Sequence, residues 1–243
     1  MNPEGMTTSE WVEVLEAMEE VAPYYDRVNQ LITLGLADRW RAEVASRAGR
    51  NDVVLELGSG PGSFARHLAN QTIYCLEPSD RLLESSRESL DEERVNLIRG
   101  VGERVPLTDD SVDKVFCSFS FRDFRDRSFG TSEMFRVLRD GGQAFIADVA
   151  KPPPGPMAKL LQMHMRFVVP TFARVAVPPA ARARWKNDPY RKFIDTYDAF
   201  GFTTVYEELL RSQGFVDVST EFLAMRGATL TRGKKPWKST SSS

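Results

Sequence analysis

Three glycines at alternate positions, Gly58, Gly60 and Gly62, lie between two acidic residues in the first half of the chain. Glycine has no Cβ, so a turn built from these residues can approach a ligand closely. Glu56 precedes the turn, and Glu77 ends the next apolar run of the sequence. A carboxylate at that position can accept hydrogen bonds from both ribose hydroxyls of an adenosine. The spacing therefore predicts a binding site for an adenosine-containing cofactor.

The glycine turn is open to two other interpretations. Residues 60–65 match the dinucleotide-binding pattern G-x-G-x-x-A, and a tight turn between a strand and a helix can be glycine-rich without binding any ligand. The position of Glu56 argues against a dinucleotide, because a pyrophosphate is itself anionic. A sulfonium cofactor with a free amino group tolerates an acid there. We expect Glu56 to order the amino-acid end of such a cofactor through water or backbone groups.

Alternating strand and helix signals surround this turn. Such βαβ alternation is typical of a parallel sheet with helices on both faces. We therefore expect an α/β fold with a doubly wound, mostly parallel seven-stranded sheet that closes with an antiparallel pair. The predicted strands are 53–57, 72–76, 95–98, 112–119, 144–149 (after a tight turn at 140–142), 214–218 and 224–231. The predicted helices are 63–70, 79–90 with Ser79 as N-cap, 128–138 and 202–213.

Helical segments flank the predicted sheet within one structural domain. Residues 1–49 are expected to supply N-terminal helices that cover the cofactor site, with a break at Gly35. Residues 50–152 form the cofactor-binding core. Prolines at 152–154 and 156 end regular structure, and 153–200 lack strand signals, so we expect a helical cap inserted after the fifth strand. Residues 201–233 supply the C-terminal helix and closing strands, and 234–243 form a disordered tail.

Composition excludes several classes of function. The net charge is −2 and the pI about 5.9, which lacks the basic excess that a nucleic-acid-binding surface needs. With only two histidines, the chain offers no His/Cys metal cluster. Cys75 and Cys117 lie in apolar runs, which predicts buried thiols in a reducing compartment. A polar N-terminus and the lack of a ~20-residue apolar segment favour a cytoplasmic enzyme.

Four segments resemble the motifs of class I S-adenosylmethionine-dependent methyltransferases. VVLELGSGPGSFARHL is similar to the first motif, and IYCLEPS is similar to the second, which carries the ribose-binding acid. VPLTDDSVDKVFCSFSFRDFRD and EMFRVLRDGGQAFIADVAKP are similar to the stretches through the fourth and fifth strands. The resemblance covers roughly residues 50–152 and implies S-adenosylmethionine as the cofactor. The cofactor-binding residues that result are Glu56, Gly58, Gly60, Gly62, Glu77, Pro78, Gly102, Glu103 and Ser118.

A narrower resemblance links the N-terminal helices and the fourth strand to the ubiquinone/menaquinone-biosynthesis C-methyltransferases. It is carried by the segments YYDRVN, LGL, RWR and CSF. It implies methylation of a ring carbon in a quinone precursor or a related lipophilic aromatic. Two positions depart from the family: Asp123 replaces the usual Asn after Arg122, and Val101 replaces an Asp that meets the adenine amino group. We therefore expect backbone groups of Gly102 and Glu103 to recognise the adenine.

Arg122 and Asp123 are the leading catalytic candidates, because they follow the fourth strand at the edge where α/β sheets place ligands. A cation there would stabilise a phenolate, and a base would remove the hydroxyl proton. The alternative is an exposed ion pair in a surface turn. Tyr25 is expected to close over the cofactor, unless it only packs between helices. His164 in the cap is a further candidate base, although a lone histidine in an apolar helix is more often simply packed.

The cap combines apolar and basic residues. Its phenylalanines, valines and methionines between 157 and 177 predict either a small helical core or a wall for a prenylated acceptor. Arg166, Arg174, Arg182 and Arg184 suit anionic headgroups, which predicts peripheral membrane contact. Three other activities stay open: O- or N-methylation of another small molecule, cofactor binding without catalysis, and methylation of RNA or protein. The net charge disfavours the last of these.

Overall fold

Seven strands form one sheet in the computed structural model, which describes residues 5–151, 154–183, 185, 189–199 and 204–238. In chain order the strands are β1 (Val53–Leu57), β2 (Thr72–Glu77), β3 (Val95–Arg99), β4 (Val112–Ser118), β5 (Leu138–Val149), β6 (Val216–Phe222) and β7 (Ala228–Lys234). They lie in the order β3-β2-β1-β4-β5-β7-β6, and β7 runs antiparallel to both of its neighbours. The predicted doubly wound, mostly parallel seven-stranded sheet is confirmed, including its antiparallel closing pair.

Helices cover the two faces of the sheet and its carboxyl edge. They are α1 (Thr8–Val21), α2 (Tyr25–Ile32), α3 (Leu36–Ala45), α4 (Asp80–Ser89), α5 (Arg127–Val137), α6 (Pro156–Met163), α7 (Val169–Ala176), α8 (Pro179–Arg182), α9 (Pro189–Ala199) and α10 (Thr204–Ser212). A π-helical segment, His164–Val168, joins α6 to α7. Gly35, at φ +81°, is the N-cap residue before α3 and produces the predicted break. Among the described helices, none is long and apolar enough to cross a membrane.

The central strands β1 and β4 are buried on both faces, as expected for parallel strands between helical layers. Leu55 and Val115 join the core beneath α5 and α10, whereas Val54 and Phe116 join the core beneath α3. A third core packs α7 and α9 against α2. The carboxyl ends of β1 and β4 are therefore held between two packed layers, and loops that leave them start from a rigid base.

Side-chain caps fix where the helices beside that edge begin. The hydroxyl of Ser79 accepts from the backbone amide of Leu82 at 3.2 Å, which confirms the predicted N-cap of α4. Asp126 caps α5 in the same way, accepting from the amide of Phe129 at 3.0 Å. Such caps stabilise a helix by about 1 kcal/mol. They therefore also fix the directions in which the loops after β2 and β4 run.

The predicted helix over residues 63–70 is wrong. Only Ala65–His67 form a short 3-10 turn, and Leu68 is already extended. The buried Asn70 side chain donates to the carbonyl oxygens of Gly49 at 2.7 Å and Asp52 at 2.9 Å. These bonds draw the chain away from a helical path, and so short a segment makes too few helical hydrogen bonds to offset the cost of nucleation.

The fifth strand begins earlier than its predicted start at 144. It opens at Leu138, pairs with Val112, and shifts register before Lys114 pairs with Gln143. Gly141, at φ +78°, allows the extra residues to stay in the sheet. The predicted tight turn at 140–142 is therefore a bulge within one long strand.

The expectation of a disordered tail from residue 234 is wrong for residues 234–238. Lys234 ends β7, and the buried Lys235 ammonium donates to the carbonyl of Leu138 at 2.6 Å and to Asp110 at 2.7 Å. Two good acceptors replace the water that a lysine normally requires, so the chain stays ordered beyond the strand. Residues 239–243 lie outside the described part of the chain.

Candidate functional site

A cavity lies at the carboxyl edge of β1, β2 and β4, and α1, α2 and α9 supply further parts of its wall. Eleven of the twelve site residues predicted from the sequence line it; the exception is Gly62. They are Tyr25, Glu56, Gly58, Gly60, Glu77, Pro78, Gly102, Glu103, Ser118, Arg122 and Asp123. The sheet therefore brings together residues that are up to 98 positions apart in the sequence, from Tyr25 to Asp123.

Two backbone hydrogen bonds hold the glycine turn against the end of β2. The amides of Gly58 and Ser59 both donate to the carbonyl of Leu76, at 2.8 and 3.1 Å. Gly60 lines the cavity at φ +55°, and nothing among the described residues lies within 4 Å of the position its Cβ would take. A ligand can therefore approach the backbone at Gly60, as predicted for this turn.

Gly62 requires correction, because it does not line the cavity. At φ +80°, a Cβ on Gly62 would lie 2.7 Å from Cδ1 of Leu90. The missing side chain makes room for a neighbouring leucine, and the positive φ forms the turn. The three glycines look equivalent in the sequence, but this one serves packing.

Glu77 is a buried carboxyl at the end of β2. It accepts from the amides of Gly60 at 2.9 Å and Ser79 at 3.1 Å. Burial raises the pKa of Glu77 to about 7, although both amide hydrogen bonds favour the carboxylate. The Ser79 hydroxyl in turn donates to Glu19 of α1 at 2.6 Å. This bond ties α1 to the predicted ribose-binding loop, and no local pattern in the sequence predicts it.

Glu56 is a second buried carboxyl on the cavity wall. Burial raises its pKa well above the ordinary range, although the Arg41 guanidinium opposes the effect. Arg41 is itself buried; its Nη1 lies 3.2 Å from Asp38 and 3.8 Å from Asp26, and its Cζ lies 5.9 Å from the ring centre of Tyr25. This arginine was not predicted as a site residue, although it ends the RWR segment that carried the resemblance.

Four buried polar groups on residues that line the cavity have no hydrogen-bond partner among the described residues. They are the hydroxyls of Ser59 and Ser118, the side-chain nitrogen of Asn29 on α2 and the Nε of Arg122. Buried polar atoms are almost always paired, so this group of unpaired atoms around one cavity indicates a polar ligand. Together with two buried carboxyls and an open glycine, they suit a ligand with hydroxyl, amino and carboxyl groups.

The expected adenine end of the cavity is braced by Glu103. Its carboxylate accepts from the amides of Arg125 at 2.8 Å and Asp126 at 3.3 Å, which anchors the loop that leads to α5. A Cβ on Gly102 would lie 2.3 Å from the Phe124 ring, so only glycine allows this approach. Because the Glu103 side chain is committed to the loop, its backbone remains the group available for a ligand.

Arg122 is buried in the wall of the cavity, so the alternative of an exposed ion pair is wrong. Its Nη1 donates to Oδ1 of Asp148, and the Tyr206 hydroxyl donates to the other oxygen of Asp148 at 2.8 Å. The Phe193 ring lies 4.9 Å from the guanidinium carbon. Burial lowers the pKa of Arg122, but the carboxylates of Asp148 and Asp123 outweigh it and keep the side chain cationic.

Asp123 lies beside this cation, with Oδ1 3.7 Å from the Nε of Arg122. Burial raises the pKa of Asp123 to about 6, and Arg122 opposes the rise. A carboxyl with that pKa is ionised for most molecules at neutral pH and can accept a proton. Cation and base are therefore adjacent on one wall of the cavity.

Of the two remaining candidates, Tyr25 lies at the cavity and His164 does not. Tyr25 lines the cavity, in agreement with its predicted position over the site. His164 does not line it; its Nε2 lies 2.7 Å from the carbonyl of Ile32 and holds the cap against α2. The candidate base in the cap is therefore wrong, and the packed histidine is the correct interpretation.

Comparisons with known proteins agree with this geometry. The sequence model of the ubiE/COQ5 methyltransferase family matches residues 6–235. The chain is 28% identical to the demethylmenaquinone methyltransferase of Clavibacter sepedonicus, over 92% of this chain and 91% of that protein. It is also 28% identical to the ubiquinone/menaquinone biosynthesis C-methyltransferase UbiE of Proteus mirabilis, over 75% of this chain and 77% of that one.

Solved structures share the fold at lower identity. A SAM-dependent methyltransferase from Thermotoga maritima superposes with a TM-score of 0.63 at 20% identity, covering 91% of this chain and 99% of the other. A SAM-dependent methyltransferase from Aquifex aeolicus gives a TM-score of 0.58 at 14% identity, covering 86% and 97%. The sheet and its flanking helices are thus those of class I methyltransferases.

Proposed function

Because this chain belongs to the ubiE/COQ5 methyltransferase family, we propose that it methylates a ring carbon of a quinol or a related lipophilic aromatic. The chain is an S-adenosylmethionine-dependent methyltransferase, and its substrate is a small molecule. The observation that carries the finer proposal is the buried Arg122 cation beside Asp123, in a cavity whose other walls are largely apolar. This pairing suits an acceptor that is lipophilic and becomes anionic as it reacts.

S-adenosylmethionine supplies a methyl group that its sulfonium has already activated. In the proposal, Glu77 accepts hydrogen bonds from the ribose hydroxyls, and Gly58, Gly60 and Pro78 shape the wall beside it. Glu56 and Ser118 order the amino-acid end, and the backbone of Gly102 and Glu103 faces the adenine. The orphaned Ser118 hydroxyl and the open space at Gly60 support this assignment.

Apolar residues from two helices support a lipophilic acceptor. Helix α1 turns one face into the cavity, and α9 contributes two aromatic rings. The residues concerned are Trp11, Val14, Leu15 and Met18 of α1 and Tyr190 and Phe193 of α9. Burial of an aromatic ring and an attached chain against them gains about 25 cal/mol per Å² of apolar surface. Tyr25 completes this cover from the start of α2.

Deprotonation of the acceptor hydroxyl makes the neighbouring ring carbon nucleophilic. We assign the proton to the carboxylate of Asp123 and the developing phenolate charge to Arg122. S-adenosylmethionine held by the residues named above would supply the methyl group to this ring carbon, and the ring proton would then be released to solvent. Asp148 and Tyr206 act as positioning residues, because they hold the Arg122 guanidinium without lining the cavity.

A panel of acceptors tests the proposal. The purified chain is incubated with S-adenosylmethionine labelled in its methyl group and with demethylated quinols, catechols, small amines or RNA. We expect label to appear in the quinol and to resist cleavage by hot hydriodic acid, which removes methyl groups from oxygen but not from a ring carbon. Label on the oxygen or nitrogen of another small molecule would show that the acceptor belongs to a different chemical class. Cofactor binding with no transfer to any acceptor would favour a module that binds without catalysis.

A further inference from the structure

The cap presents an apolar outer face to solvent. Leu160 and Met163 of α6, Phe167 of the π-helical segment and Val175 of α7 are exposed by 63, 59, 63 and 73%. We call these four residues the outer cap face. Large apolar side chains scattered singly are normal on a surface, but a run along one helical segment marks an interaction site.

The opposite side of the same segment is fully packed. Met165, Val169 and Ala173 are buried against Val28 and Ile32 of α2. Residues Tyr25, Asn29 and Ile32 of α2 also line the substrate cavity. Helix α2 thus lies between the cap and the cavity, and the exposure of the outer cap face does not arise from a poorly packed cap.

Basic residues are concentrated in the sequence of the cap. Between positions 149 and 187 the chain has seven basic residues and no acidic residue, although the whole chain carries a net charge of −2. A groove beside Val175 is lined by three arginines, Arg27 of α2, Arg174 of α7 and Arg182 of α8. Arg184 lies outside the described residues. An apolar strip flanked by clustered guanidinium groups is the composition of an interfacial membrane-binding helix.

We propose that the outer cap face docks on the surface of an anionic lipid bilayer, with the groove arginines against phosphate headgroups. The apolar side chains enter the boundary between headgroups and acyl chains, and each basic residue near the surface contributes about fivefold to partitioning. A second copy of the chain is a poorer occupant, because a symmetric contact would bring the arginines of both copies together. Nucleic acid would leave the apolar strip without a partner.

This proposal stands on exposure and charge and is independent of the identity of the methyl acceptor. A bilayer would nevertheless hold a lipophilic acceptor on the cap side of α2, the helix that also lines the cavity proposed to receive it. Vesicle binding and methyl transfer can therefore fail separately, and each failure has its own meaning.

Flotation of the 243-residue chain with vesicles tests the proposal. We expect binding to vesicles of phosphatidylcholine and phosphatidylglycerol, weaker binding to phosphatidylcholine alone, and loss of the difference at high salt, which screens the arginines. The double variant Phe167→Ser, Val175→Ser should lose binding to both kinds of vesicle. The variants Arg27→Gln and Arg166→Gln should each reduce binding to the anionic vesicles by about fivefold.

Matched controls come from other surfaces of the chain. Phe129→Ser removes a ring of almost the same exposure, 64%, from α5, and Arg81→Gln removes an exposed cation from α4. Both should bind vesicles like the wild type. Equal binding by all variants, or no binding by the wild type, would overturn the proposal. Binding of soluble glycerol phosphate or RNA without vesicles would also overturn the proposal. The same holds if the chain forms a dimer without lipid and Phe167→Ser dissociates that dimer.

Discussion

Arg122 donates a charge-assisted hydrogen bond to Asp148 at the end of β5, and both side chains are buried. Asp148 also accepts from its neighbouring amide, that of Val149, at 2.8 Å and from Tyr206 of α10. The carboxylate is thereby surrounded by donors from three elements. The Nε of Arg122 makes no hydrogen bond to any described residue. The relationship fixes the cation in the cavity wall while leaving one of its donors available.

The Tyr206 hydroxyl should matter for turnover although it does not line the cavity. Tyr206→Phe keeps the buried ring but removes one hydrogen bond to a charged acceptor, so we expect a loss of about 1–3 kcal/mol in unfolding free energy. We also expect lower kcat with unchanged affinity for S-adenosylhomocysteine. Tyr197→Phe is the control, because that hydroxyl donates to the neutral carbonyl of Ala150 at 3.1 Å. If Tyr206→Phe and Tyr197→Phe lowered kcat equally, Tyr206 would not be a positioning residue for Arg122.

Cofactor affinity should depend on the ionisation of Glu77. Glu77 has a pKa of about 7, so its carboxylate becomes protonated as the pH falls through neutrality. The protonated form is a poorer acceptor of hydrogen bonds from the ribose hydroxyls. We expect S-adenosylhomocysteine to bind severalfold more weakly at about pH 6 than at about pH 8. Titration calorimetry of Glu77→Gln should show affinity weaker by about 1–3 kcal/mol and no pH dependence. Asp123→Asn, which alters a shifted carboxyl outside the proposed ribose site, should keep the dependence. Binding of NADH in place of S-adenosylhomocysteine would revive the dinucleotide interpretation.

Asp123 should set the acidic limb of the pH profile for methyl transfer. Its pKa of about 6 means that the free base is lost as the pH falls below that value, so the rate should fall with it. The rate should be measured in a single turnover at saturating cofactor. The ionisation of Glu77, which we expect to affect cofactor binding, then does not contribute to the pH profile. Asp123→Asn should flatten the limb and slow transfer by about 10²–10⁴. Full activity in Asp123→Asn would show that the aspartate only fills the position of the family's asparagine.

Two glycines of one turn should respond differently to substitution. Gly60→Val places a side chain in cavity space and should abolish S-adenosylhomocysteine binding. Gly62→Ala forces Leu90 to move and should lower the melting temperature while leaving the affinity of the folded protein unchanged. Calorimetry on both variants, after circular dichroism has confirmed their fold, separates the two roles. If a folded Gly60→Val variant bound S-adenosylhomocysteine with wild-type affinity, the cofactor site would not lie at Gly60.

Local signals were enough to predict which residues line the cavity beside β1 and β2. Gly58 and Glu77 each follow an apolar run directly, and parallel strands bring such positions to one edge. The partners of Arg122 were not predictable in this way, because Asp148 and Tyr206 are 58 positions apart and meet only when α10 packs on the sheet. Their residue types are ordinary at the end of a strand and in an amphipathic helix.

Errors in the fold prediction also arose from distant contacts. The segment at 63–70 has helical composition, but bonds from Asn70 to the chain before β1 extend it. The tail is ordered through Lys235 because Asp110 and the carbonyl of Leu138, far away in sequence, receive its ammonium. In each case a buried polar group found its partners through tertiary packing, which no local pattern contains.

The most direct test of the account locates the transferred methyl group and removes the proposed cation. A demethylmenaquinol analogue and methyl-labelled S-adenosylmethionine are combined in a single turnover, and the product is analysed by carbon NMR. We predict a methyl group on the ring carbon beside a hydroxyl. Arg122→Ala should slow this transfer by about 10²–10³ without changing cofactor affinity, whereas the control Arg139→Ala should not. A methyl group on oxygen, or full activity in a folded Arg122→Ala, would contradict the account.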